Sequence, residues 1–145
     1  MKKLITVLFV VFTLSQVFAQ SSEVFTTDEG AIQGYDPVAY FQEGKPVKGK
    51  KEFSTLWSGA QWSFSSKQNL ETFKSNPEKY APQYGGYCAY GTSEGHKAST
   101  QPDAFTIVND KLYLNYNKDV KVMWSKNQKE RIQKADENWP AVKKQ

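Results

Sequence analysis

Alternation of apolar and polar positions is clearest in two places. Phe53, Thr55 and Trp57 fall on every second residue, Ser58-Gly59-Ala60 breaks the run, and Trp62 and Phe64 resume it. Large aromatics at this spacing predict two strands around a turn, with one buried face. Residues 104–108 and 111–116 predict a second hairpin, closed by Asn109-Asp110, a pair that tolerates positive φ. Helical signals lie between and after these. Ser65 or Ser66 can cap a helix carrying Leu70 and Phe73, and Asn76-Pro77 starts a further helical turn that Pro82 ends. Asn117 caps a final helix whose stripe is Val120, Trp124, Ile132, Ala135 and Trp139. Its polar middle predicts a break near Lys126-Asn127, and Pro140 is expected to stop it. Asp36-Pro37 predicts a turn, followed by a short apolar turn or strand over Val38–Phe41. Gly44 to Lys51 reads as a basic surface loop.

These elements make one α+β domain over residues 34–140, a small antiparallel sheet with helices packed on one side, a β-hairpin and a C-terminal helix closing the chain. Residues 20–33 read as a flexible lead-in with one edge strand near Val24-Phe25-Thr26, and residues 141–145 as a frayed tail.

Residues 1–19 have a different pattern. Lys2-Lys3 precede an apolar run from Leu4 to Leu14, too short to span a bilayer, and Val17-Phe18-Ala19 offers small residues for cleavage after Ala19. This is the pattern of a secretory signal, and it implies a periplasmic or extracellular protein with no stable membrane span after processing. Cleavage would remove two of the 19 basic side chains and none of the 15 acidic ones, taking the formal charge from +4 to +2. The remaining charges are interspersed, which argues against a nucleic-acid partner.

Candidate chemistry concentrates between Tyr84 and His96. This stretch holds the single cysteine, Cys88, the single histidine, His96, and four glycines. One cysteine in an oxidising compartment cannot form an internal disulfide. Cys88 and His96 could both reach one metal ion, copper or zinc. A structural zinc shell needs four ligands, so carboxylates such as Glu94 or Asp103 would have to complete it. A single-chain blue-copper site needs a second histidine, and c-type haem needs Cys-x-x-Cys-His. A lone thiol could instead act in redox chemistry if its pKa were lowered, with a partner thiol from elsewhere. A Cys-His hydrolase would need Asp103 or Asn109 to orient His96, and an oxyanion hole besides. Free cysteine is also among the most buried residue types, so an inert packed thiol is the third reading. Tyr84, Tyr87 and Tyr90, with Tyr80 nearby, could line an aromatic pocket for a small ligand, or fill the core. All four tryptophans read as core residues.

Several short motifs in order resemble the YHS domain: Tyr35-Asp36-Pro37-Val38, Trp62-Ser63-Phe64-Ser65-Ser66, Phe73, and Asn76-Pro77-Glu78-Lys79-Tyr80. Gly86-Tyr87-Cys88-Ala89, Leu112-Tyr113-Leu114, Ala135-Asp136 and Trp139-Pro140 are similar to later segments of small exported YHS-domain proteins. The resemblance implies a relative of metal-handling modules that are usually proposed to bind metal through cysteines. At the corresponding positions this chain has Ala39, Ser65 and Asn69, which are poor ligands for soft metals. The combined expectation is a non-enzymatic exported module that binds a metal ion or small ligand at Cys88, with His96 as second metal ligand and Tyr84, Tyr87 and Tyr90 around it. The alternatives are a thiol-dependent redox protein using Cys88 and an interaction domain with a buried thiol. No catalytic residue is assigned.

Overall fold

In the computed structural model, which describes residues 22–145, Asp36 opens a helix rather than a strand. Its Oδ1 accepts hydrogen bonds from the backbone N–H groups of Val38 (2.8 Å) and Ala39 (3.2 Å), and Pro37 takes the first helical position. The result is α1 (Pro37–Gln42). A four-residue apolar run is too short for periodicity to separate helix from strand, so the cap decides.

The second half of the basic loop enters a strand. β3 (Lys50–Trp57) pairs antiparallel with β4 (Ala60–Phe64), Thr55 opposite Trp62 and Trp57 opposite Ala60. Phe53 and Trp57 lean on the core while Leu56 is 79% exposed, as the alternation requires. Ser66 Oγ accepts from Asn69 N–H at 3.1 Å and caps α2 (Lys67–Ser75), and α3 (Pro77–Tyr80) follows Asn76. After α4 (Ala89–Ser93) come β5 (Phe105–Val108) and β6 (Lys111–Leu114). Asn109 and Asp110 have φ of 49° and 60°, the signature of a type I′ turn. Asn117 caps α5 (Lys118–Lys126), and the expected break falls at Asn127, before α6 (Gln128–Val142).

The α+β reading holds, but the antiparallel pairing is divided. β1 (Thr26–Thr27) with β2 (Gly30–Ala31), β3 with β4, and β5 with β6 form three separate two-stranded units rather than one sheet. Two apolar clusters join them. One contains Ile32, Val38, Trp62, Phe64, Phe73, Leu112 and Leu114; the other contains Tyr84, Ala89, Tyr113, Trp124 and Ala135. β6 serves both, because successive strand residues face opposite ways: Leu112 and Leu114 point into the first, Tyr113 into the second.

The two chain ends of the described region are packed, not loose. Val24, Ala31 and Ile32 are buried, and Phe25 N–H donates to Gly85 O at 2.9 Å. That approach requires glycine: Gly85 has φ 61°, and a Cβ there would lie 1.8 Å from Glu23 O. At the other end α6 continues past Pro140, whose absent N–H removes one helical bond, and Val142 is buried. Lys97 Nζ donates to Ser22 O, Lys143 O and Gln145 O at 2.9, 3.0 and 3.1 Å, using all three ammonium donors to tie both ends together. Residues 22–33 and 141–145, read as lead-in and tail, thus make contacts with residues remote in sequence. Residues 1–19, read as a secretory signal, lie outside the described residues. Among the described residues no helix is long and apolar enough to cross a membrane.

Candidate functional site

The Tyr84–His96 stretch folds as a 3-10 turn over Gln83–Gly86 followed by α4, and Cys88 sits at the N-cap of that helix. The thiol is buried, with the residue 2% exposed. Its Sγ accepts from Gly91 N–H at 3.4 Å and donates to Asn115 Oδ1 at 3.5 Å, while Asn115 Oδ1 also accepts from Tyr90 N–H at 3.0 Å. Burial pushes the Cys88 thiol above its ordinary range, against a smaller opposing pull from nearby backbone N–H groups. That is the reverse of what an activated nucleophile needs.

His96 lies on the outer side of the same turn. It is exposed, and its ring covers Gly91, where a Cβ would come within 3.2 Å of the imidazole. Among the described residues no hydrogen bond joins the Cys88 sulfur to this ring, whose Nδ1 lies 3.4 Å from Lys97 O. The carboxylates that could have completed a metal shell are engaged elsewhere. Glu94 pairs with Arg131, which holds its carboxyl below the usual range, and Asp103 lies 3.3 Å from Lys118 Nζ. Among the described residues no three His, Cys, Asp or Glu side chains group so as to hold a metal ion. A buried protonated thiol beside one exposed imidazole does not fit the closed shell of a structural metal.

The three tyrosines have separate tasks. Tyr90 stacks under the Arg131 guanidinium at 4.1 Å and accepts from its Nη2 at 3.1 Å. Tyr87 donates to Ser22 O at 2.9 Å, packs on Phe25 and carries Lys97 Nζ over its ring. Tyr84 is buried and donates to Asp136 Oδ1 at 2.8 Å; burial, with the Asp136 bond behind it, drives its phenol far above the usual range. The rings therefore do not enclose one common pocket, and of the three only Tyr84 borders a concavity with Trp57 and Trp139.

At the three positions where the resemblance implied cysteines, the side chains and backbone converge on Asp36. This residue is fully buried, and Ser65 N–H, Ser65 Oγ and Asn69 Nδ2 each donate to its Oδ2 at 2.8 Å, while Ala39 N–H reaches Oδ1. The place of a soft-metal site is filled by an internal hydrogen-bond network that joins α1, β4 and α2. These oxygen and amide groups do not fit a soft metal, and the Ser65 and Asn69 donors are turned towards Asp36.

A concavity of about 280 Å³ opens beside Tyr84, between the end of β3, the 81–85 segment and α6. Trp57, Glu78, Ala81, Pro82, Gln83, Gly85, Asp136 and Trp139 complete its walls, and a second concavity of about 130 Å³, which shares Trp57, Pro82 and Trp139 with it, reaches Glu23 and Ser58. Trp139 meets Tyr84 edge-on, with centroids 6.0 Å apart. Trp57 and Trp139 are only partly buried, unlike Trp62 and Trp124, which are core residues as expected. Trp57, Trp139 and Asp136 line this concavity, and no local pattern in the sequence marks them as doing so; the one signal is Ala135-Asp136 with Trp139-Pro140, part of the family resemblance.

A family model described as YHS domain matches residues 38–84. The match runs from α1 through β3, β4, α2 and α3 to Tyr84, so it ends before Cys88. No curated protein and no solved structure gives a significant match. The family match assigns residues 38–84 of this chain, about a third of its length, to the YHS domain family.

Proposed function

We propose that this chain is an exported, non-enzymatic ligand-binding module whose site is the cleft between Trp57, Tyr84 and Trp139. Export rests on the Lys2-Lys3, Leu4–Leu14 and Val17-Phe18-Ala19 pattern of the first 19 residues. The single observation that carries the binding site is that two indoles remain partly exposed on the walls of one concavity, where a small ligand would cover them. The burial and raised pKa of Cys88 favour a site away from the thiol, which acts here as a helix cap.

The test is a fragment screen on the isotope-labelled protein, read from the Trp57 and Trp139 indole N–H resonances. Binders are expected to shift those two signals together with amides of residues 78–85 and 136–139, and to bind Cys88→Ala as well as the unchanged chain. A ligand footprint centred on Cys88 and His96, abolished in Cys88→Ala, would overturn the assignment.

A further inference from the structure

We infer that the cleft takes a small organic ammonium ion, held among the aromatic rings of Trp57, Trp139 and Tyr84 and by the carboxylates of Asp136 and Glu78, with Glu23 close by. The inference rests on the reading of this cleft as the binding site and adds the chemistry of its occupant.

Size limits the ligand first. A cavity of about 280 Å³ lies at or below the lower end of the ~300–1,000 Å³ typical of pockets for drug-sized molecules, so a nucleotide or large cofactor would not be enclosed. Wall chemistry then selects among small ligands. Aromatic faces carry negative quadrupole charge and attract cations, tryptophan most strongly, and quaternary ammonium groups are recognised in this way. The indoles are also apolar, which suits alkylated nitrogen better than a hydrated metal ion.

Formal charge points the same way. Without residues 1–19 the sequence carries 17 basic side chains against 15 acidic ones, yet the charged residues lining the cleft and the adjoining concavity are Glu23, Glu78 and Asp136, with no lysine or arginine. An anionic ligand would meet these carboxylates with no cation on the walls, Lys97 lying near Glu23 but lining neither concavity. Asp136 is held in place because its Oδ1 accepts the Tyr84 hydroxyl at 2.8 Å, which leaves Oδ2 for a cation. Tyr84 is fixed from the other side by the 3-10 turn and by Trp139. The aromatic wall and its carboxylate are thus positioned before any ligand arrives, which lowers the ordering cost of binding.

The experiment titrates the full processed chain with choline, with tetramethylammonium and with 3,3-dimethylbutan-1-ol, the uncharged isostere of choline, following the Trp57 and Trp139 indole signals. Choline and tetramethylammonium should shift both indoles, and the alcohol should bind about tenfold more weakly or worse. Asp136→Asn combined with Glu78→Gln, both exposed positions, should weaken choline about tenfold and leave the alcohol unchanged. Trp139→Leu should weaken all three, and the carboxamide pair keeps the test decisive if that variant folds poorly. Equal binding of choline and the alcohol would overturn the cation assignment while leaving the cleft as the ligand site. Silence of both indoles towards all three probes, with fragments still bound in the cleft, would overturn it in the same way. A choline footprint outside the cleft would overturn both.

Discussion

Asp36→Ala should lose about 3–5 kcal/mol of folding stability, enough to lower Tm by more than about 10 °C in a domain of this size. The magnitude follows from what the carboxylate does. Its two oxygens accept from Val38 N–H, Ala39 N–H, Ser65 N–H, Ser65 Oγ and Asn69 Nδ2, and the residue is fully buried. Alanine leaves these donors without an acceptor, and each unsatisfied buried group costs about 1–3 kcal/mol before relaxation and water entry reduce the sum. Helix α1 loses its cap in the same step. Asp36→Asn is the informative companion. It keeps the shape but turns an NH₂ group towards donors at one oxygen position, so it should still lose about 2 kcal/mol. Thermal and urea unfolding of the two variants checks this, and a wild-type-like Asn variant would contradict the role given to the junction.

Phe73→Ala should have an effect of similar size, about 3–5 kcal/mol, through a different cause. Phe73 is fully buried on α2, and its ring lies 5.0, 5.5 and 5.7 Å from those of Phe64, Trp62 and Trp57. Truncation removes the packing of one ring against three and leaves a cavity under β3 and β4 that rigid indoles cannot fill. Phe73→Leu keeps most of the volume and should lose less than half as much. Because Trp57 is one of the three neighbours, Phe73→Ala should also disturb the Trp57 indole signal, linking the core to the cleft wall. Urea midpoints at unchanged m-value measure the first effect, and the indole resonance reports the second.

The parts of the fold that local rules control were legible in the sequence. The type I′ turn at Asn109-Asp110, the Ser66 and Asn117 caps, the break at Asn127 and the inward face of Phe53 and Trp57 each depend on a few neighbouring residues. Legibility ended where distant residues decide. Val38–Phe41 carries no usable period, and its helix exists because Asp36 is held by Ser65 and Asn69 as well as capping α1. The lead-in is ordered by Gly85 and Lys97, and α6 passes Pro140 towards the buried Val142; none of these contacts leaves a trace in local pattern.

The candidate site was less legible than the fold, for a physical reason. Cys88 and His96 drew attention because each is unique and both lie in one glycine-rich run. Uniqueness says nothing about placement: Cys88 is buried at the N-cap of α4, where its sulfur accepts from Gly91 N–H, and the imidazole lies outside. Trp57 and Trp139 looked like core because tryptophan usually is. Their partial exposure arises from a concavity between β3 and α6, elements far apart in the chain. Replacement of the family's cysteines by Ala39, Ser65 and Asn69 was visible, but their convergence on one carboxylate needed the structure.

Cys88 caps α4 from a buried position, outside the proposed site. Alkylation of the protein at neutral pH, in native buffer and in denaturant, with and without added copper or zinc, tests this placement. The thiol should stay unlabelled in the native state, react fully once unfolded, and be indifferent to either metal. Fast native labelling, or a native thiol that reacts freely until copper or zinc protects it, would return the functional role to Cys88.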